Sequence, residues 1–128
     1  MQKTAQAILN ALDCPDGELS ILLVDDQQIE KLNNKYLHRK GPTNVIAFPM
    51  RNGKFSNITP HLLGDIVLSA ETAHKESKVA GITIDKRLDQ LLVHGILHLF
   101  GYDHEGSQND SLLMEIKSNE LLDLIEKL

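Results

Sequence analysis

Apolar residues recur along the chain at two spacings, one typical of helices and one typical of buried strands. Helical spacing, as in Ala5, Ile8, Leu9 and Leu12, predicts a helix, and similar patterns occur in four other places. Continuous apolar runs such as LSILLV predict strands. The expected helices lie at about 3–12, 25–37, 70–80, 84–100 and 108–127, and the expected strands at 19–24, 44–49, 54–58 and 62–69.

Polar residues and glycines indicate where several of these helices begin and end. Asp25 or Asp26 can cap the second helix, Ser69 the third and Thr83 the fourth, because their side-chain oxygens accept hydrogen bonds from the first turn. Gly101 follows the fourth helix. Glycine at such a position commonly adopts the left-handed conformation, which lets the following segment fold back toward the helix.

The size and composition of the chain fit a single cytosolic domain. With 128 residues and 41% hydrophobic content, it has room for one domain over 1–128, and the element order predicts an α+β fold: a small four-stranded sheet covered by about five helices. No run of about 18 apolar residues suggests a membrane span, and the first residues resemble an amphipathic helix rather than a secretion signal. The single cysteine, Cys14, is expected in a turn or the core and fits a reducing compartment. We therefore expect a cytoplasmic protein without membrane contact.

Charge is distributed unevenly along the chain. The formal net charge of -5 disfavours a protein that only coats nucleic acid, because phosphate binding draws on positive surface. The last part of the chain is acidic, whereas 31–54 contains no Asp or Glu. This basic segment is either a solvated surface or, if it folds beside a reactive site, a means of holding an anionic substrate. Its cations are Lys31, Lys35, Arg39, Lys40, Arg51 and Lys54.

Three of the six histidines lie within the stretch VHGILHLFGYDH, at His94, His98 and His104. Residues four apart lie on one face of a helix, so His94 and His98 can meet one ion. Zinc takes about four ligands in a tetrahedron, and the turn allowed by Gly101 can bring His104 back as the third. The chance of this spacing in a chain of this composition is on the order of one in a thousand. We therefore predict one Zn²⁺ ion on these histidines, with one coordination position open to water.

The residue after the first histidine limits the chemistry that such a site can perform. In the metzincin proteases, which share this spacing, a glutamate stands there as general base, whereas this chain has Gly95. Peptide hydrolysis is therefore disfavoured. The base can instead be the water that zinc activates, or Asp103, which can equally serve to orient a histidine ring. A purely structural zinc is a further alternative.

Three segments of the chain resemble the YbeY family of bacterial metal-dependent endoribonucleases. HGILHLFGYDHE resembles the family's histidine signature, while PTNVIAFP at 42–49 and LGDIVLS at 63–69 resemble two upstream segments in the expected order. The resemblance extends from about Leu32 to the C-terminus. It implies a mixed sheet, a zincin-like metal-bearing helix and zinc on the three histidines. It also implies single-stranded RNA as substrate, notably the 3′ end of small-subunit ribosomal RNA, and a role in ribosomal RNA maturation and ribosome quality control, with ribosomal proteins as further partners.

The chain departs from the family pattern at one functional position. The family usually has an arginine directly after the tyrosine that precedes the threonine motif, and here Leu37 follows Tyr36. A guanidinium near the metal would stabilise the negative charge that develops on a phosphate during cleavage, which leucine cannot do. Arg39 and Lys40 are the candidates to bind substrate instead, and Arg39 is also a candidate for the catalytic cation.

Three functional hypotheses follow from the sequence. The first is a zinc-dependent endoribonuclease specific for single-stranded RNA. The second is a ribosome-associated RNA-binding factor in which zinc has only a structural role; it draws support from Leu37 and the acidic total charge. The third, a metallopeptidase, is disfavoured by Gly95. Chelator-sensitive RNA cleavage distinguishes the first from the other two.

Overall fold

The computed structural model describes residues 1–50, 61–102 and 107–128. Within these ranges it contains five helices and three strands, and the predicted α+β class is confirmed. The strand predicted at 54–58 lies outside the described residues, so the described sheet has three strands rather than the four expected. The elements are α1 (Gln2–Ala11), β1 (Glu18–Val24), α2 (Asp26–Leu37), β2 (Val45–Pro49), β3 (Leu62–Ser69), α3 (Ala70–Ala80), α4 (Ile84–Leu99) and α5 (Gln108–Glu126).

The sheet is mixed, and β3 is its central strand. β1 runs parallel to β3, with Ile21 opposite Ile66, whereas β2 runs antiparallel to β3, with Ala47 opposite the same Ile66. A strand with neighbours on both sides and helices on both faces is expected to be largely apolar, and every residue of β3 from Leu63 to Ser69 except Asp65 is buried. This explains why LLGDIVLS has apolar residues on both faces rather than in strict alternation with polar ones.

Alternate residues of β3 pack against helices on opposite faces of the sheet. Ile66 and Leu68 belong to the main core, to which α4 contributes Leu92 and Ile96. Val67 points the other way into a smaller cluster formed with α2. α4 is buried around most of its circumference and also contacts α1, α3 and α5, which makes it the central helix of the domain. In the described part of the chain, no helix has the length and apolar character needed to cross a membrane.

Capping residues start the helices where the sequence predicts. Asp25, rather than Asp26, caps α2 and forms a reciprocal capping box with Gln28. Ser69 caps α3 and Thr83 caps α4, as expected. These caps fix the residue at which each helix leaves the sheet or a loop.

Asp26 has a different role and joins the beginnings of α2 and α3. Its carboxylate accepts hydrogen bonds from the hydroxyls of Ser69 and Thr72, each at 2.5 Å, and from the Lys75 ammonium at 3.3 Å. Its backbone N–H donates to the side chain of Glu71 at 3.0 Å. The hydrogen bonds, with that from Ser69 the most important, hold the pKa of Asp26 below its ordinary value of 3.8.

We expect Asp26→Asn to lower the free energy of unfolding at neutral pH by about 1–2 kcal/mol. The value is modest because the carboxylate, with 20% of its side chain exposed, keeps some contact with water, which weakens its interactions. The folded-state pKa of Asp26 lies below the unfolded value, so its contribution is complete above pH 3.8 and is lost as the pH falls through the folded-state pKa. Urea unfolding of both proteins from neutral pH to about pH 2 measures this. Asp25→Asn is the matched control, since asparagine caps equally well; a difference between wild type and Asp26→Asn that persists at low pH would contradict the assignment.

Gly64 allows β3 to approach the end of β2. It has φ +142°, and a Cβ atom built on it would lie 2.1 Å from the carbonyl oxygen of Phe48. At this point Gly64 is paired with Pro49, and the N–H of Met50 donates to the carbonyl of Leu63 at 2.9 Å. No side chain fits there without moving backbone of the neighbouring strand.

We expect Gly64→Ala to lower the free energy of unfolding by at least about 3 kcal/mol, because it combines an unfavourable φ with a backbone clash. Gly81→Ala is the matched control: its φ is also positive, at +69°, but an added Cβ meets nothing within 4 Å. We expect it to cost about 1 kcal/mol. Thermal and urea unfolding provide the comparison, and equal losses in the two variants would exclude the clash as the cause.

Candidate active site

Two histidines on α4 direct their rings toward each other. The Nε2 atoms of His94 and His98 are 3.1 Å apart, and the ring centroids are 4.6 Å apart with an interplanar angle of 76°. Both residues are half-buried on a helix that is otherwise largely buried. The helical spacing of four residues therefore produces the convergence that the sequence predicts.

The geometry of this pair fits a shared metal ion. Zinc–nitrogen bonds of about 2.0–2.1 Å in a tetrahedron separate neighbouring ligand atoms by about 3.3 Å. The observed separation of 3.1 Å is close to that value. Imidazole nitrogens are also ordinary zinc ligands. His94 and His98 can thus occupy two adjacent positions around one ion.

The third predicted ligand, His104, lies outside the described residues, as does Asp103. The turn that would bring the chain back is visible: Gly101 has φ +93°, and its N–H donates to the carbonyl of His98 at 3.0 Å. The next residue, Tyr102, donates to the carbonyl of Leu97. Within the described ranges no three His, Cys, Asp or Glu side chains form a metal-binding group. The predicted set of three ligands therefore stays a prediction.

Gly95 gives α4 its close contact with the sheet. It is buried, and a Cβ atom built on it would lie 3.1 Å from Cγ2 of Ile66 and 3.4 Å from Cγ2 of Val45. Any larger residue at this position would therefore require the contact between α4 and the sheet to adjust.

A cavity of about 560 Å³ lies beside the histidine pair. His94 and His98 form part of its wall, and residues from the end of α2 to β2 form much of the rest. Arg39 lines this cavity, and so does Leu37, the residue that follows Tyr36. Lys40 instead lines a separate cavity of about 450 Å³ with Lys31. The structure therefore brings Arg39, but not Lys40, together with the histidines.

The segment that carries Arg39 is anchored to α2. α2 ends at Leu37, the capping residue His38 has φ +55°, and the N–H of Arg39 then donates to the carbonyl of Asn33 at 3.3 Å. The side chain of Asn33 is buried and donates from Nδ2 to the carbonyl of Gly41 at 3.0 Å. These hydrogen bonds hold the backbone around Arg39 in one conformation.

Two polar residues of the cavity, Thr43 and Asn44, were not singled out by their sequence. They belong to the segment PTNVIAFP, but no charge, repeat or metal-ligand spacing distinguishes them. Only the packing of β2 beside α4 shows that they share a cavity with the histidine pair. Cys14, as expected, is half-buried and packs against the main core.

A histidine pair facing a cavity that an arginine also lines is suited to a hydrolase of anionic substrates. The family model for Endoribonuclease YbeY matches residues 1–126. The Endoribonuclease YbeY of Syntrophotalea carbinolica is 48% identical over 122 residues, which cover 94% of this chain and 81% of that protein. The one from Geobacter metallireducens is 44% identical over 128 residues, covering 99% and 85%, and the one from Aquifex aeolicus is 36% identical over 129 residues, covering 100% and 84%.

A solved structure is similar over nearly the whole chain. The solution structure of a protein from Thermotoga maritima matches with a TM-score of 0.69 and 25% sequence identity, covering 97% of this chain and 77% of that one. The chain belongs to the YbeY family of endoribonucleases. It is accordingly an enzyme, a hydrolase that acts on RNA.

Proposed function

We propose that this protein, as a single domain over 1–128, is a zinc-dependent endoribonuclease that cleaves single-stranded RNA. Its proposed role is the 3′ maturation of small-subunit ribosomal RNA and ribosome quality control in the cytoplasm, with ribosomal proteins as further partners. The observation that supports it most is the pair of imidazole Nε2 atoms, 3.1 Å apart, at the wall of a cavity that Arg39 also lines. Family membership supports RNA as the substrate class.

His94, His98 and His104 are the residues that would hold the zinc ion. When bound, zinc supplies a Lewis acid for the phosphate and lowers the pKa of water to about 7. The role of α4 is to fix two imidazoles on a buried helix, so that little movement accompanies binding of the ion. Asp103 stays a candidate for proton transfer or for orienting a histidine ring.

Arg39 is the proposed phosphate-binding cation. Among the described residues that line the cavity, it alone carries a permanent positive charge. Its guanidinium can donate two parallel hydrogen bonds to phosphate oxygens and stabilise negative charge that develops on them. Because Leu37 stands on the same wall without such a donor, we infer that Arg39 takes over this contact in the present chain. The rest of the basic segment, including Lys40, would attract the RNA backbone at longer range.

We expect His98→Ala to lower the rate of single-stranded RNA cleavage at least about 100-fold, and a chelator to abolish cleavage by the wild-type protein. The measurement is cleavage of a labelled oligoribonucleotide by zinc-loaded protein, together with zinc content by elemental analysis. His74→Ala is the control, because His74 is an exposed histidine on α3. Zinc-loaded protein that binds RNA without cutting it, and unfolds when zinc is removed, would favour the binding factor with structural zinc and overturn this proposal.

We expect Arg39→Ala to lower kcat/KM for RNA by about 10- to 100-fold, since a donor to the phosphate is removed. Lys40→Ala is the adjacent control and should change kcat/KM by less than about threefold, because Lys40 lines a different cavity. Both are measured on the same oligoribonucleotide at one fixed salt concentration. Equal losses in the two variants would point to a general charge effect and contradict a specific contact by Arg39.

A further inference from the structure

Asn44 lines the same cavity as the histidine pair, and its side chain is hydrogen-bonded to a residue that does not line that cavity. Its Nδ2 atom donates to both carboxylate oxygens of Glu76 on α3, at 3.2 and 3.3 Å. Its backbone carbonyl accepts a hydrogen bond from the N–H of Ser69 at 2.9 Å, at the end of the central strand. Both the backbone and the side chain of Asn44 are therefore fixed.

The partner of Asn44 determines which way its amide faces. A carboxylate can only accept hydrogen bonds, so the NH₂ group of Asn44 must face Glu76. Glu76 is itself fixed by Arg87 on α4, whose Nε and Nη2 atoms both lie 3.1 Å from Glu76 Oε1. The third nitrogen of that guanidinium, Nη1, donates to the side-chain oxygen of Gln90 at 2.8 Å. Asn44 lines the cavity, and with its NH₂ group on Glu76 the side-chain carbonyl oxygen is the part of the amide left to bind a ligand there.

We propose that Asn44 is a specificity-determining residue: its side-chain oxygen accepts a hydrogen bond from the ribose 2′-hydroxyl of the nucleotide bound beside the histidine pair. This proposal rests on the proposed ribonuclease function. Glu76 and Arg87 act as positioning residues that keep the acceptor facing the substrate. An acceptor at this place distinguishes RNA from DNA, because the 2′-hydroxyl is the donor that DNA lacks.

The chemistry of RNA favours the 2′-hydroxyl as the partner of this acceptor. Phosphate oxygens carry no proton and would be repelled by a carbonyl oxygen, whereas Arg39 on the same wall suits them. Base amino groups can donate, but only some bases carry them. Every ribonucleotide carries a 2′-hydroxyl, and it lies next to the phosphodiester that must reach the histidines. An acceptor beside a phosphate site therefore suits the sugar.

The test is a double-mutant cycle between Asn44 and single positions of the substrate. Oligoribonucleotides that carry one 2′-fluoro group at each position around the mapped cleavage site remove one donor at a time while keeping an RNA-like sugar. At one position we expect kcat/KM of the wild-type enzyme to fall about fivefold, as for loss of one neutral hydrogen bond. Asn44→Ala should lower kcat/KM on unmodified RNA by a similar factor and show no further loss with the 2′-fluoro group at that position.

Glu76→Gln tests the orienting role while leaving Asn44 in place. A glutamine side chain both donates and accepts, so the amide of Asn44 can turn over. We expect the discrimination between 2′-hydroxyl and 2′-fluoro at that position to shrink from about fivefold to less than about twofold. Glu115→Gln, an exposed glutamate on α5, is the control and should retain the full discrimination. Thermal unfolding of all variants shows whether they are folded, and the ratio between the two substrates is insensitive to a simple loss of active protein.

The outcomes separate this proposal from the function on which it rests. If Asn44→Ala and each 2′-fluoro group lower kcat/KM independently, so that their factors multiply at every position, Asn44 does not contact a 2′-hydroxyl. With normal chelator-sensitive cleavage, that result would overturn the role of Asn44 and leave the ribonuclease function intact. The same holds if the Asn44→Ala effect depends on a base amino group instead. Absence of chelator-sensitive cleavage by the wild-type enzyme would overturn both. The proposal is supported if one 2′-fluoro group lowers kcat/KM of the wild-type enzyme about fivefold and causes no further loss in Asn44→Ala.

Discussion

The close packing of α4 on the sheet is the contact on which the candidate site depends. It is possible because Gly95 places no side chain between the helix and Ile66 of the central strand. With this side of α4 pressed on β2 and β3, His94 and His98 are brought to the wall that β2 and its preceding segment complete. One glycine thus contributes to both the core and the geometry of the histidine pair.

The parts of this protein that local patterns determine were predictable from the sequence. The convergence of His94 and His98 follows from the helical period, and the caps Ser69 and Thr83 follow from local hydrogen bonding. The segment LLGDIVLS correctly indicated a strand at 62–69, whereas its burial between helices on both faces is seen only in the structure. The choice of Asp25 over Asp26 as the cap of α2 was left open, because adjacent aspartates look alike until the tertiary partners of Asp26 on α3 are known.

Features that depend on tertiary contacts were not predictable in this way. Arg39 and Lys40 are adjacent and chemically similar, yet they line different cavities, because the chain turns at His38 and is tied to Asn33. Asn44 gains its orientation from residues 32 and 43 positions further along the chain. No periodicity or spacing connects residues that far apart. The net charge of -5, a sum over the whole sequence, likewise does not indicate that an arginine lines the cavity beside the histidines.

The tethers of the segment between α2 and β2 affect how the protein can recognise a ligand. Asn33 holds its beginning through the carbonyl of Gly41, and Ser69 holds its end through the carbonyl of Asn44. A segment ordered before binding loses little conformational entropy when a ligand arrives, so more of the interaction energy is retained as affinity. The same rigidity favours ligands that can adapt their own shape to the protein. Under the proposed function, an unpaired RNA strand would meet this condition, because its backbone bends more easily than that of a duplex.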